Sequence, residues 1–213
     1  MAMLLINAIS LLHLLILFCL IFFEYAPFIH RLLYGMVFLY LWPPCAASVV
    51  RMLFPIREKR LTVYSKEYFV WWTLFNLQVL FIRMPFFEEF LRFIPGLYST
   101  WLRLWGAKIG RLVYWAPGTT VLDRSFLDIG DHVILGAGVR INPHVQILNE
   151  AGENELLLAS ITIGGNSVIG GYSLLTSGTV VAPGENLRAF TLSAPFSHWQ
   201  KGRRLKKSMD ESA

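Results

Sequence analysis

Histidine is the side chain best suited to move a proton near neutral pH, and the chain has five. One of them, His144, follows Ile141-Asn142-Pro143 and stands directly before the most polar stretch of the second half of the chain. A base there could take the proton of a hydroxyl or an amine. Asn142 offers an amide to hold such a hydroxyl, and Glu150 and Glu153 offer carboxylates that could orient the imidazole. The other histidines are placed less favourably for chemistry. His132 has no polar stretch beside it, and His198, between Phe196 and Trp199, is expected to pack on what precedes it. His13 lies in an apolar run, where a neutral ring hydrogen-bonded to a neighbouring helix is expected. Cys19 and Cys45 both sit among apolar residues without CxxC spacing, which excludes a disulfide framework and points to no metal. The net charge of +5 gathers in 51–66 and 201–207. Such clusters, with Lys201, Arg203 and Arg204 in the second, suit phosphates or anionic lipid. No aromatic-and-basic groove accompanies them, so nucleic acid is not an expected partner.

The elements that must position these residues fall into two halves. A mean hydropathy of +0.51 is too high for one ordinary soluble domain. Met3 to Phe23 is apolar apart from Asn7, Ser10 and His13, about the length an α-helix needs to cross a bilayer. No Lys or Arg precedes it and no small-x-small pattern follows it, so it reads as an anchor rather than a cleaved leader. Leu32 to Phe54 returns across the bilayer, with Pro43-Pro44 in its middle freeing carbonyls that neighbouring helices must cover. The segment after it carries Arg51, Arg57, Lys59, Arg60 and Lys66, so both ends of this hairpin are expected on the cytoplasmic side. Tyr68 to Ile82 is short for a span and rich in Trp and Phe. A helix in or dipping into the interface is expected there, tilted insertion being the alternative.

From Ile109 the sequence repeats every six residues, with an aliphatic residue first, a small one next, and a small or β-branched residue fifth. Ile129-Gly130, Leu135-Gly136, Ile163-Gly164 and Ile169-Gly170 show it most clearly. Three hexads make a triangular coil of about eighteen residues, in which aliphatics point inward and stacked coils leave room only for small corner residues. Two interruptions break the phase: a two-residue slip near Leu127-Asp128, and residues 149–160, where a departure from the coil is the natural place for binding.

Trp105-Gly106-Ala107-Lys108-Ile109-Gly110, Ile129-Gly130-Asp131 and the run Ile163-Gly164-Gly165-Asn166-Ser167-Val168-Ile169-Gly170-Gly171 resemble the hexapeptide-repeat (LpxA-like) acyltransferases. The joining of a helix pair to Gly-Ala-Lys-Ile-Gly is also similar to the transmembrane β-helical modules ending some nonribosomal peptide synthetases. The resemblance implies a left-handed parallel β-helix behind an α-helical membrane anchor. It implies a homotrimer and a donor of acetyl-CoA or another acyl-CoA, with no metal. His144 would be the catalytic base, although the family's histidine commonly lies a few residues further on and precedes proline. Asn142, Glu150 and Glu153 would meet the acceptor. Gly165, Gly171 and Ser177, with Lys201, Arg203 and Arg204, would meet the donor, the basic tail serving coenzyme A phosphates or, alternatively, lipid. The fold is also that of γ-class carbonic anhydrases, but the coils offer only His132 and His144 where a zinc needs three histidines. The expected organisation is a hairpin with basic segment over 1–66, interfacial or linker helices over 67–105, the β-helix over 106–195 and a basic tail over 196–213. The implied function is acyl transfer, most simply O-acetylation of a lipid-linked glycan, lipid or peptide at the cytoplasmic face of a bacterial inner membrane. A non-catalytic scaffold is the alternative.

Overall fold

The computed structural model describes residues 2–23, 25–149 and 151–206, without the side chains of Ala2, Lys59 and Lys206. Two apolar helices, α1 (Ala2–Phe22) and α2 (Phe28–Leu53), form the N-terminal hairpin. Both are long and apolar enough to cross a membrane. The polar residues of α1 recur at intervals of three and so share one helical face. The indole Nε1 of Trp72 donates to Asn7 Oδ1 (2.8 Å), and Ser10 Oγ donates to the carbonyl of Asn76 (2.7 Å). His13 is buried edge-on to Phe38 of α2 at 5.1 Å, but its Nε2 has no hydrogen-bond partner among the described residues, unlike the bonded imidazole expected.

Helix α2 continues without a break through Pro43 and Pro44. Pro44 has no N–H for the carbonyl of Tyr40, and that carbonyl accepts from Trp101 Nε1 instead (2.8 Å). Here a neighbouring helix does cover a freed group. A short strand, β1 (Lys59–Thr62), leads to α3 (Lys66–Arg83), which is capped by Ser65. Helices α4 (Phe86–Arg92) and α5 (Leu97–Leu104) follow, α3 and α4 meeting at a bend of 79°. Tyr68, Trp71, Leu74, Leu77 and Phe81 bury the inner face of α3. The helix therefore lies between the apolar hairpin and the second half of the chain. Ser48 Oγ and Arg51 Nη1 of α2 hydrogen-bond the last carbonyls of the α5 turn, Leu104 (3.0 Å) and Trp105 (2.8 Å), which no further helical turn would satisfy.

The second half forms three parallel sheets visited in rotation. The first contains β2 (Lys108–Ile109), β5 (Leu127–Ile129), β10 (Ile161–Ile163), β13 (Val180–Val181) and β16 (Ser197–Gln200). The second contains β3 (Tyr114–Trp115), β6 (Ile134–Leu135), β11 (Val168–Ile169) and β14 (Asn186–Leu187); the third contains β4 (Thr120–Val121), β7 (Arg140–Asn142), β12 (Leu174–Thr176) and β15 (Leu192–Ser193). Ile163 pairs with Val181, Ile169 with Leu187 and Leu175 with Ser193, each eighteen residues on. This register fits a three-sided parallel β-helix. Leu135, Ile141, Ile169 and Leu175 are fully buried in its interior, each contributing about 1.5–3 kcal/mol of burial. The stacking explains the corner glycines: a Cβ on Gly136 would come within 2.6 Å of the Gly171 nitrogen, and one on Gly170 within 2.2 Å of the Ala189 nitrogen. The coil runs on past Ala194 into β16, whose antiparallel partner β17 (Arg203–Lys206) closes the end of the first sheet.

Both interruptions are structured. The slip falls at 123–126, where Ile109 and Ile129 pair although twenty residues apart. The longer departure is a hairpin, β8 (His144–Leu148) and β9 (Asn154–Leu158), beginning five residues earlier than the polar stretch suggests. Strand β1, from beyond the apolar hairpin, pairs antiparallel with β9 to make a separate three-stranded sheet. Leu61, Tyr68, Trp71, Phe126, Leu156 and Leu158 form the apolar cluster beneath it.

Candidate active site

The slip and the hairpin meet. Val121 ends a rung, and the chain then turns through Asp123, whose φ of +46° lies in the left-handed region. Aspartate tolerates that region better than most side chains. The turn buries Asp123 to 1% exposure and carries its Oδ2 into contact with Nδ1 of His144, the first residue of the hairpin. The other oxygen, Oδ1, accepts from Trp71 Nε1 at 2.8 Å. Both carboxylate oxygens are thus occupied.

Helix α3 completes the enclosure. Trp71, Phe75 and Gln78 follow helical spacing and share the face turned to the coil. Trp71 and Phe75 present their rings edge-on to the imidazole at centroid distances of 5.0 and 5.5 Å. Gln78 Oε1 accepts from the backbone N–H (2.8 Å) and the Nη1 (3.0 Å) of Arg124. Burial alone would push the His144 pKa down, because it penalises the charged ring. The charge of Asp123 and the hydrogen bond to it outweigh that, and the pKa stands above the ordinary imidazole value. With Nδ1 held by the carboxylate, the neutral ring carries its proton there and leaves the Nε2 lone pair free. The side chain keeps 16% of its surface exposed. This is the arrangement of an oriented proton acceptor.

Directly beside the pair lies a buried charge network. Arg124, fully buried, is ion-paired with Glu88 Oε1 and ringed by Phe81, Trp101 and Trp105, its guanidinium carbon 5.4–5.7 Å from their centroids. Glu88 Oε2 also meets Arg92 (3.2 Å) and the hydroxyl of Tyr98. Arg92 in turn donates to the carbonyl of Thr119 (2.8 Å), and Glu89 accepts from Gly118 N–H (2.9 Å). These bonds fix α4 and α5 to the coil around the slip. A small cavity of about 130 Å³ opens here, lined by Ile82, Pro85, Thr119, Arg124, Arg140 and Asn142 among others.

The sequence candidates are distributed unevenly. His144 and Asn142 are close in the structure, Asn142 ending β7 on the cavity wall. Glu150 lies outside the described residues. Glu153 sits in the exposed hairpin turn, where its backbone N–H donates to Asn149 Oδ1 (2.8 Å) and its carboxylate accepts from Asn149 Nδ2 (3.2 Å). The carboxylate against the imidazole is Asp123. Gly165, Gly171 and Ser177 are not brought together: a step of six residues moves to the next side of the coil, so they follow rungs of the first, second and third sheets in turn. Residues sharing an edge are eighteen apart. Ser177 is fully buried, with its hydroxyl unpartnered among the described residues. Lys201, Arg203 and Arg204 belong to the closing hairpin, held at its turn by Glu185, whose carboxylate accepts from Lys201 N–H (2.6 Å) and Gly202 N–H (2.9 Å). Among the described residues no group of three or more His, Cys, Asp or Glu side chains could hold a metal ion. Sequence reading missed Asp123, Arg124 and Trp71. The signal for the first two was the slip itself, which spends two extra residues on polar side chains inside an apolar ladder.

No known family model and no curated protein matches the chain. Similar solved structures include a maltose O-acetyltransferase from Clostridium difficile 630, with 17% identity, covering 60% of this chain and 88% of that one at a TM-score of 0.31. A hexapeptide-repeat-containing acetyltransferase from Vibrio cholerae is 17% identical, covering 61% and 91% at 0.31. The same kind of enzyme from Vibrio cholerae O1 biovar eltor, complexed with acetyl coenzyme A, is 16% identical, covering 62% and 90% at 0.28. At this level of similarity a functional reading has to come from the residues themselves.

Proposed function

We propose that the chain is a membrane-anchored acyltransferase of the hexapeptide-repeat type, with His144 as general base and Asp123 as the residue that orients it. The observation that carries this reading is the carboxylate–imidazole pair, set where the coil is interrupted and walled by aromatic rings of α3. The hexapeptide motifs support an acyl-CoA donor. The two apolar helices support an acceptor sharing the bilayer, whose local concentration they would raise.

In this mechanism Nε2 of His144 removes the proton of an acceptor hydroxyl or amine. The oxygen or nitrogen attacks the thioester carbonyl, the carbon–sulfur bond breaks, and the imidazolium returns its proton to the departing thiolate. Asp123 holds the ring in the correct tautomer and stabilises its charged form. Homotrimer assembly, a left-handed coil and a cytoplasmic location belong to the same proposal.

The test is transfer of label from radiolabelled acetyl-CoA to lipid extract by membranes containing the protein. His144→Ala should lower it by about 10²–10⁴-fold while the protein still folds and accumulates. Full activity in that variant would overturn the assignment.

A further inference from the structure

The cavity beside Asn142 has an uneven lining. Three charged residues line it, Glu88, Arg124 and Arg140. Glu88 is ion-paired with Arg124 and, behind it, with Arg92. Arg140 makes no ion pair or hydrogen bond through its side chain among the described residues, and its position on β7 turns outward beside inward-facing Ile141. A cavity bordered by this exposed, unmatched cation favours a negatively charged oxygen group.

The opposite wall is apolar, made by Ile82 and Pro85 at the α3–α4 bend. Beyond that bend Phe86, Phe90, Phe93 and Ile94 expose 60%, 54%, 82% and 58% of their surface. Water is a poor solvent for such a run of rings. Helices α1 and α2 expose apolar side chains to a similar degree, Leu4, Leu5, Phe28 and Leu33 among them. One side of the cavity thus carries a cation and the other borders an element with an exposed apolar surface.

We infer that the cavity between the α3–α4 bend and the third sheet is a head-group site for an anionic membrane amphiphile, with Arg140 as its principal ligand and the apolar part running past Ile82 and Pro85 into the bilayer. In the acyltransferase reading, on which its catalytic significance rests, such an amphiphile is the acceptor. Its polar end lies beside Asn142, two residues before the base.

Binding can be measured without turnover. The full chain in a neutral detergent is titrated with phosphatidylglycerol and with phosphatidylcholine, and bound lipid is counted by native mass spectrometry. The expected result is one phosphatidylglycerol retained in preference to phosphatidylcholine. Arg140→Gln should weaken it at least tenfold, whereas Arg204→Gln, which alters the basic closing hairpin, should not. Millimolar inorganic phosphate should fail to displace it. Equal retention of the two lipids, an unchanged Arg140→Gln, an equal loss in Arg204→Gln, or displacement by free phosphate would each overturn the inference. His144→Ala should retain the lipid while losing transfer. Lipid bound through Arg140 by a wild-type chain with no transferase activity would leave this site standing and sink the acyltransferase reading alone.

Discussion

At the scale of single residues, the decisive contact is between Asp123 and His144. Replacing the carboxylate by an amide removes both the charge and the reason for the tautomer. Asp123→Asn should lower acyl transfer by roughly 10²–10⁴-fold. The pH profile separates this from simple damage. A base works only unprotonated, so wild-type activity should fall with acid through a pKa above the ordinary imidazole value. Without Asp123, burial alone acts on the ring, and the residual activity should persist to lower pH. An acid limb that stays in place would show that Asp123 does not tune His144. The same raised pKa has a consequence for stability. The pair's contribution is full below the unfolded-state pKa of histidine and is lost as pH rises through the folded value. His144 was legible in the sequence because a histidine before a polar break is conspicuous. Its partner was not, because Asp123 sits in what reads as a minor slip, and burial is invisible to residue type.

At the scale of elements, the six-residue cadence did reveal three stacked sheets, since only close-packed coils demand small residues at such regular corners. It could not reveal what covers them. Helix α3 reads as an apolar segment with a few polar residues, yet those residues divide by face. Asn7, Ser10, Trp72 and Asn76 join it to α1, while Trp71, Phe75 and Gln78 serve the site. Arg124 is the pin between helices and coil. Arg124→Met should destabilise the fold by about 3 kcal/mol, because it strands Glu88 as a buried charge with Arg92 as its remaining cation. Adding Glu88→Gln should recover part of that loss, measurable as the midpoint of denaturant unfolding. The corners offer a sharper contrast. Gly170→Ala drives a methyl into the backbone of the coil above and should cost roughly 3 kcal/mol. Gly171→Ala should cost clearly less, since its added carbon would stop 3.0 Å from the Ala137 carbonyl oxygen.

At the scale of the molecule, α1 and α2 carry large apolar side chains outward along most of their length, Leu4, Leu11, Phe28 and Leu33 among them. Exposure of this kind is tolerable in lipid and not in water. Alkaline carbonate washing should leave the chain in the membrane pellet, and detergent should release it. Release by carbonate would mean the helices lie on the bilayer rather than in it. The hydropathy of these segments made them readable, whereas the attachment of α2 to α5 was not, because it is made by carbonyls and single side chains such as Trp101, Ser48 and Arg51.

The pairing of β1 with β9 ties the stretch leaving the apolar hairpin to a strand almost a hundred residues later. It acts as a strut rather than a tether. With this brace in place the coil cannot swing away on a linker, and the imidazole stays at one height above whatever surface holds α1 and α2. For a partner confined to that surface, encounters are two-dimensional, and turnover should follow its mole fraction among the lipids rather than its amount per volume. Diluting the vesicles in buffer would then change little, while diluting the partner with inert lipid would slow the reaction in proportion.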